Sequence, residues 1–141
     1  MASSAHPQGL SFAAGYHSVN PYYLVGGVER FIEFLTDVFD GREETRFREV
    51  RPDGLVDHAD VIIGDSLVMM SDATPTNPAR PAVAFVYVPN VDSTYRKALV
   101  RGCVSRLEPM VAPWGERVAG FADPWDNRWW VGTPAPGAAG A

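Results

Sequence analysis

The chain has 141 residues and a net charge of -5, with hydrophobic residues at 46% and charged residues at 21%. That describes one domain able to bury a sizeable core and excludes a disordered chain. Eleven of the twelve bases are Arg and no basic stripe gathers them, which excludes a surface that tracks nucleic-acid phosphates.

The first nineteen residues hold no basic segment followed by a continuous apolar run, so no export signal is read there. No run approaches the roughly 18 apolar residues of a membrane span, and a cytoplasmic location is expected. Residues 1–15 are expected to form a flexible arm. The small-residue ending PAPGAAGA, residues 134–141, is expected to be a disordered tail. The folded unit is then 16–133.

Asn20 to Val25 is aromatic and β-branched and reads as a strand, stopped by Gly26-Gly27. Val28, Phe31, Ile32, Leu35, Val38 and Phe39 recur at helical spacing, so the spacing predicts a helix over 28–39, ended by Asp40-Gly41. Strands follow at 44–50, 56–63 and 67–70, separated by Pro52-Asp53-Gly54 and Gly64-Asp65. The three prolines of 72–81 mark a linker. The order then repeats: strand 82–88, helix 91–102 with Asp92 as N-cap and Gly102 as stop, and strands 104–108, 117–121 and 128–131. Turns at Pro113-Trp114-Gly115 and Asp123 to Asn127 separate the last three. This near-repeat of strand, helix and three strands predicts an α+β fold. Two βαβββ units, 16–72 and 82–133, form a curved mixed sheet around a cup, with the helices outside.

The stretches NPYYLVGGVERFIEFLTDVF, DGLVDHADVIIGDSLVMMSD, FVYVPNVDSTYRKALVRG and WGERVAGFADPWDNRWWVGT carry a resemblance. They are similar to the vicinal oxygen chelate superfamily of glyoxalases, bleomycin-resistance proteins and extradiol dioxygenases, and closest to its PhnB-like branch. The branch usually has Phe-Gly after the last Asp-Pro; here Trp125-Asp126 stand there, which is expected to reshape the cup mouth. The resemblance implies a small-molecule cup and a homodimer in which two chains complete each cup. In metal-using members it also implies His or Glu on the first and last strand of each unit. The four corresponding strands here, 20–25, 67–70, 82–88 and 128–131, hold no His, Glu or Asp. The chain has three His (His6, His17, His58), and His17 alone cannot hold an ion. No metal and no other cofactor is expected.

Strand alternation sets the expected lining. His58 and Asp60 share the cup face of their strand; Phe85 and Tyr87 share another; Arg128 and Trp130 a third. Trp114 is expected as a lid or partner contact. The expected ligand-binding set is therefore His58, Asp60, Phe85, Tyr87, Trp114, Arg128 and Trp130. Arg128 can also pair with Asp60 or Asp126. Of Tyr22 and Tyr23, one points in and one out. Glu43, Glu44, Arg46 and Arg48 read as a solvated face. Cys103 reads as a small buried hydrophobe; as the only cysteine it excludes an internal disulfide. The expected function is metal-independent binding of a small aromatic or amphipathic molecule, of the sequestration or resistance type. The alternative is an isomerase, lyase or cyclase in which His58 and Asp60 supply acid-base chemistry to a natural-product-like substrate. A structural or regulatory dimer with a vestigial cup is a third reading. Nucleic acid and membrane are not expected as partners.

Overall fold

The computed structural model describes residues 6–13 and 15–135. Residues 1–5, residue 14 and residues 136–141 of the expected arm and tail lie outside the described residues. Two units follow one another. The first is β1 (Tyr22–Val25), α1 (Val28–Phe39), β2 (Arg42–Val50), β3 (Val56–Ile63) and β4 (Ser66–Asp72). The second is β5 (Val83–Tyr87), α2 (Val91–Val100), β6 (Val104–Val111), β7 (Arg117–Ala122) and β8 (Arg128–Thr133). Each makes its own four-stranded mixed sheet, in the orders β1-β4-β3-β2 and β5-β8-β7-β6. The first and last strands of each unit pair in parallel and the rest are antiparallel. The helix supplies the crossover that a parallel pair needs.

α1 exists because seven of its twelve residues bury one face, and Phe31 and Leu35 lose all exposure. Its N-cap is Gly27, which has no side chain to offer. The cap comes from β4: Asp72 Oδ1 accepts from the backbone N–H of Gly27 and of Val28, each at 3.0 Å. Its Oδ2 accepts from Val56 N–H at 2.7 Å. A carboxylate at this end also opposes the helix dipole favourably. α2 differs from expectation at its start. Its N-cap is Asn90, whose side chain accepts from Ser93 N–H at 3.0 Å. Asp92 is the second residue of the helix and instead holds Arg117 through two N–H donors, at 2.6 and 2.8 Å.

The helix faces of both sheets share one core. Tyr23 of β1 stacks on Trp129 of β8, centroids 5.3 Å apart, and Phe39 of α1 packs on Trp129 at 4.9 Å and on Phe121 at 6.2 Å. Trp125 joins the same layer, edge-on to Phe31 at 5.1 Å, and its indole N–H donates to Gly26 carbonyl at 2.9 Å. This corrects the reading of Trp125-Asp126: the tryptophan ties the last turn to the helix layer rather than reshaping the cup mouth. Among the described residues no helix is long and apolar enough to cross a membrane.

Candidate functional site

Each sheet turns its second face away from the helices, and the expected site residues are divided between those two faces. On the first sheet, His58 and Asp60 stand side by side as alternation requires. His58 Nε2 lies 2.8 Å from Asp60 Oδ1. The Asp60 side chain is fully buried, while His58 keeps part of its ring exposed. The second oxygen of Asp60 accepts from the Tyr16 hydroxyl. Burial and the bond to Asp60 push the Tyr16 pKa above the usual tyrosine range. The chain before β1 therefore lies over this sheet. Phe47 meets Tyr16 edge-on at 6.0 Å, and Tyr22 lies 6.3 Å from the His58 ring. Of the tyrosine pair, Tyr22 is the half-exposed one on this face and Tyr23 is buried in the core. A cavity of about 610 Å³ opens here, lined by Phe12, Tyr16, Phe47, Glu49, His58 and Met69 among others.

The second sheet carries Phe85, Tyr87, Arg128 and Trp130. Phe85 and Tyr87 are half-exposed and their rings meet at 5.0 Å. Phe85 is paired with Trp130 across the parallel β5–β8 ladder. Two glycines make room for these rings. A Cβ on Gly120 would lie 2.2 Å from Trp130 Cζ3, and one on Gly132 would lie 2.7 Å from Phe85 Cζ. Both rings thus lie over bare strand backbone, which is the usual meaning of Gly inside a strand. Trp114 is 64% exposed, and its indole N–H donates to Glu116 Oε1 at 2.7 Å; the Tyr87 hydroxyl donates to the same oxygen at 3.3 Å. Among the described residues Arg128 forms no ion pair with Asp60 or Asp126. The expected set is thus brought together as two groups, His58 with Asp60 and Phe85 with Tyr87, Trp130 and Trp114; the cavity beside His58 is lined by first-unit and arm residues alone.

Sequence reasoning missed Phe12, Tyr16, Phe47, Glu49 and Met69. Phe47 had a signal, a lone aromatic in a charged strand, and Gly120 and Gly132 had one in their strand positions. The expected solvated face is corrected as well: Glu43 and Arg48 are mostly covered and paired at 2.6 Å, with Arg48 also reaching Glu29 of α1.

The chemistry of the donors does not fit a metal. The four strands that would supply ligands carry aromatic, aliphatic and thioether side chains. β4 does extend to Asp72, beyond the expected 67–70, but that carboxylate is spent on three backbone amides at the start of α1 and β3. Among the described residues no three His, Cys, Asp or Glu gather in a metal-binding arrangement. Cys103 is buried, which pushes its thiol pKa up to about 12 and leaves it a poor nucleophile.

The model for the Glyoxalase/Bleomycin resistance protein/Dioxygenase superfamily matches residues 16–131. An uncharacterized protein of Mycobacterium bovis is 30% identical over 130 residues, covering 83% of each chain. The solved structure of TioX from Micromonospora sp. ML1 superposes with a TM-score of 0.64 at 20% identity, over 84% of this chain and 97% of its own. The PhnB protein of Bacillus cereus does so at 0.65 and 14% identity, over 84% and 100%. With the family model spanning both units, the chain belongs to the glyoxalase/bleomycin resistance protein/dioxygenase superfamily.

Proposed function

We propose that the protein binds a small aromatic or amphipathic molecule without a metal, as a sequestration or resistance protein does. The observation that carries this reading is the pair of aromatic rings laid over glycine, Trp130 on Gly120 and Phe85 on Gly132, with Phe85 46% exposed. A ring supported from below and open above is a stacking platform, and convergent aromatics with few polar groups are what small-molecule sites use. The open face also exposes Val83, Tyr87, Val104 and Met110. In this reading a second copy of the chain covers it, so that the His58 face of one subunit and the Trp130 face of the other complete one cup. The lone buried thiol of Cys103 suits a reducing compartment, and the cytoplasm is the location we propose.

A thermal-shift screen of aromatic natural products and drugs tests the binding. A ligand should raise Tm, and Trp130→Ala or Phe85→Ala should weaken that ligand at least about tenfold. A ligand held equally well by both variants overturns the platform. Sedimentation of wild type against Phe85→Glu tests the dimer: a monomeric wild type refutes it.

A second reading rests on the 2.8 Å contact between His58 and Asp60. Asp60 orients the ring and leaves the other nitrogen free to take or give a proton. Any ligand from the screen should then be converted by wild type, seen by mass spectrometry, and remain bound but unconverted with His58→Ala. A ligand recovered unchanged from wild type favours sequestration.

A further inference from the structure

The cavity over the first sheet has a composition of its own. Its floor is His58 of β3 and Met69 of β4; its rim is Phe47 and Glu49 of β2 with Asp57; its outer wall is Phe12 and Tyr16 of the segment before β1. Three aromatic rings and a thioether therefore line an open cavity of about 610 Å³ whose lining also includes two acidic residues, Glu49 and Asp57, and no Lys or Arg. Glu49 is the cross-strand partner of His58. Asp57 forms a long ion pair with Arg51 at 4.0 Å, which leaves Glu49 as the carboxylate free to meet a ligand, and Arg46 lies 5.8 Å from the Phe47 ring centre. The protein thus already sets a cation against one of these rings.

The outer wall is fixed. The Tyr16 hydroxyl is held by Asp60, a carboxylate with no exposed surface that also takes His58. A Cβ built on Gly15 would lie 3.6 Å from the side chains of Ile62 and Leu67, so the backbone there runs close against the sheet. The segment is thereby packed onto the sheet at two successive residues, and Phe12 is carried over the cavity with it.

Aromatic faces and the Glu49 carboxylate beside an open cavity attract a positive charge: the ring quadrupoles and the carboxylate act in the same direction, and the rings also take an apolar body. We propose that this cavity is a binding site for an amphipathic organic monocation, such as an aryl-alkyl ammonium, and that Phe12 and Tyr16 form its specificity-determining wall. The proposal rests on the small-molecule reading above and adds where the charged end sits and which segment encloses it.

Three probes share one ring and differ in charge: benzyltrimethylammonium, benzyl alcohol and phenylacetate. Each is titrated into the full chain and followed by backbone amide shifts. The cation should bind about tenfold more tightly than the other two, with shifts at residues 11–16, Phe47 and His58. Phe12→Ala should weaken it at least about threefold, and Glu49→Gln by a similar factor. Tyr16→Phe, which keeps the ring and removes the hydroxyl that holds the wall, should weaken the cation while leaving the fold's amide spectrum in place. Benzyl alcohol or phenylacetate binding as well as the cation overturns the proposal. So do shifts confined to Val83–Tyr87 and Trp130, although these would leave the small-molecule reading standing. Absence of shifts with all three probes also overturns it, while the wider screen decides the parent reading independently.

Discussion

Asp123 shows how much one side chain can decide. It is 5% exposed and takes four donors: Oδ1 accepts from the backbone N–H of Trp125 and Asn127 at 2.9 and 2.8 Å, and Oδ2 from Asn127 Nδ2 and Trp129 Nε1 at 3.0 and 2.8 Å. Burial pushes its pKa up while these donors pull it down. Asp123→Asn keeps the shape but turns an NH₂ toward two of the donors, or toward the backbone pair if flipped. A buried network broken in this way costs about 2–4 kcal/mol, read as a lower urea midpoint with unchanged slope. A midpoint within error of wild type would show that the network is dispensable. The sequence reading saw residues 123–127 as a turn, and it is one, with Asp126 in the left-handed region at φ 66° where the branch usually has Gly. That Asp123 points inward was not legible, because its partners include a ring six residues away that only the β7–β8 register brings back. The same limit applies to Tyr16. Its partner Asp60 lies 44 residues along the chain, and no local pattern announces such a pair.

At the scale of elements, periodicity located both helices and all eight strands, with every bound within two residues except the end of β6, which runs three residues past its expected end, to Val111. What periodicity cannot show is which side chain finishes an element. α1 borrows its cap from Asp72, read from sequence as the first residue of a linker. Asp72→Asn keeps one acceptor and loses the charge and the second oxygen, so the chain should lose about 1–2 kcal/mol, with amide exchange accelerating first at residues 27–30. Uniform exchange changes without a bias to that turn would count against the cap. Gly120 is a comparable case on the second sheet. Gly120→Ala places a methyl group inside the Trp130 ring position, 2.2 Å from Cζ3. The ring must move, which should cost about 1–3 kcal/mol and shift the tryptophan emission. An unchanged spectrum and Tm would mean the ring does not lie over that glycine.

Across the whole molecule, the near-repeat predicts two similar units, and their joining is the least legible feature. No strand of one sheet pairs with a strand of the other. The units are joined by side chains: Tyr23, Phe34 and Phe39 on Trp129, Phe39 on Phe121, and Trp125 on Phe31 and Phe34. Each aromatic pair contributes about 0.5–1.5 kcal/mol beyond the area it buries. Six such pairs in one continuous core are comparable to the whole stability of a small domain, so neither unit should persist once the other opens. The distribution of chromophores makes this testable. All four tryptophans (Trp114, Trp125, Trp129 and Trp130) belong to the second unit, whereas helix and strand are present in both. Tryptophan emission therefore follows the second unit and its contacts with the first, and far-ultraviolet circular dichroism follows the secondary structure of both. In urea the two signals should trace a single coincident transition. Trp129→Leu, which removes the ring that Tyr23 and Phe39 share, should lower the midpoint by an amount equivalent to about 3–5 kcal/mol, and should separate the curves if the units retain any stability alone. A wild-type transition in which the two curves separate would show that one unit opens while the other keeps its secondary structure, and that the shared aromatic layer is a contact between two domains rather than one core.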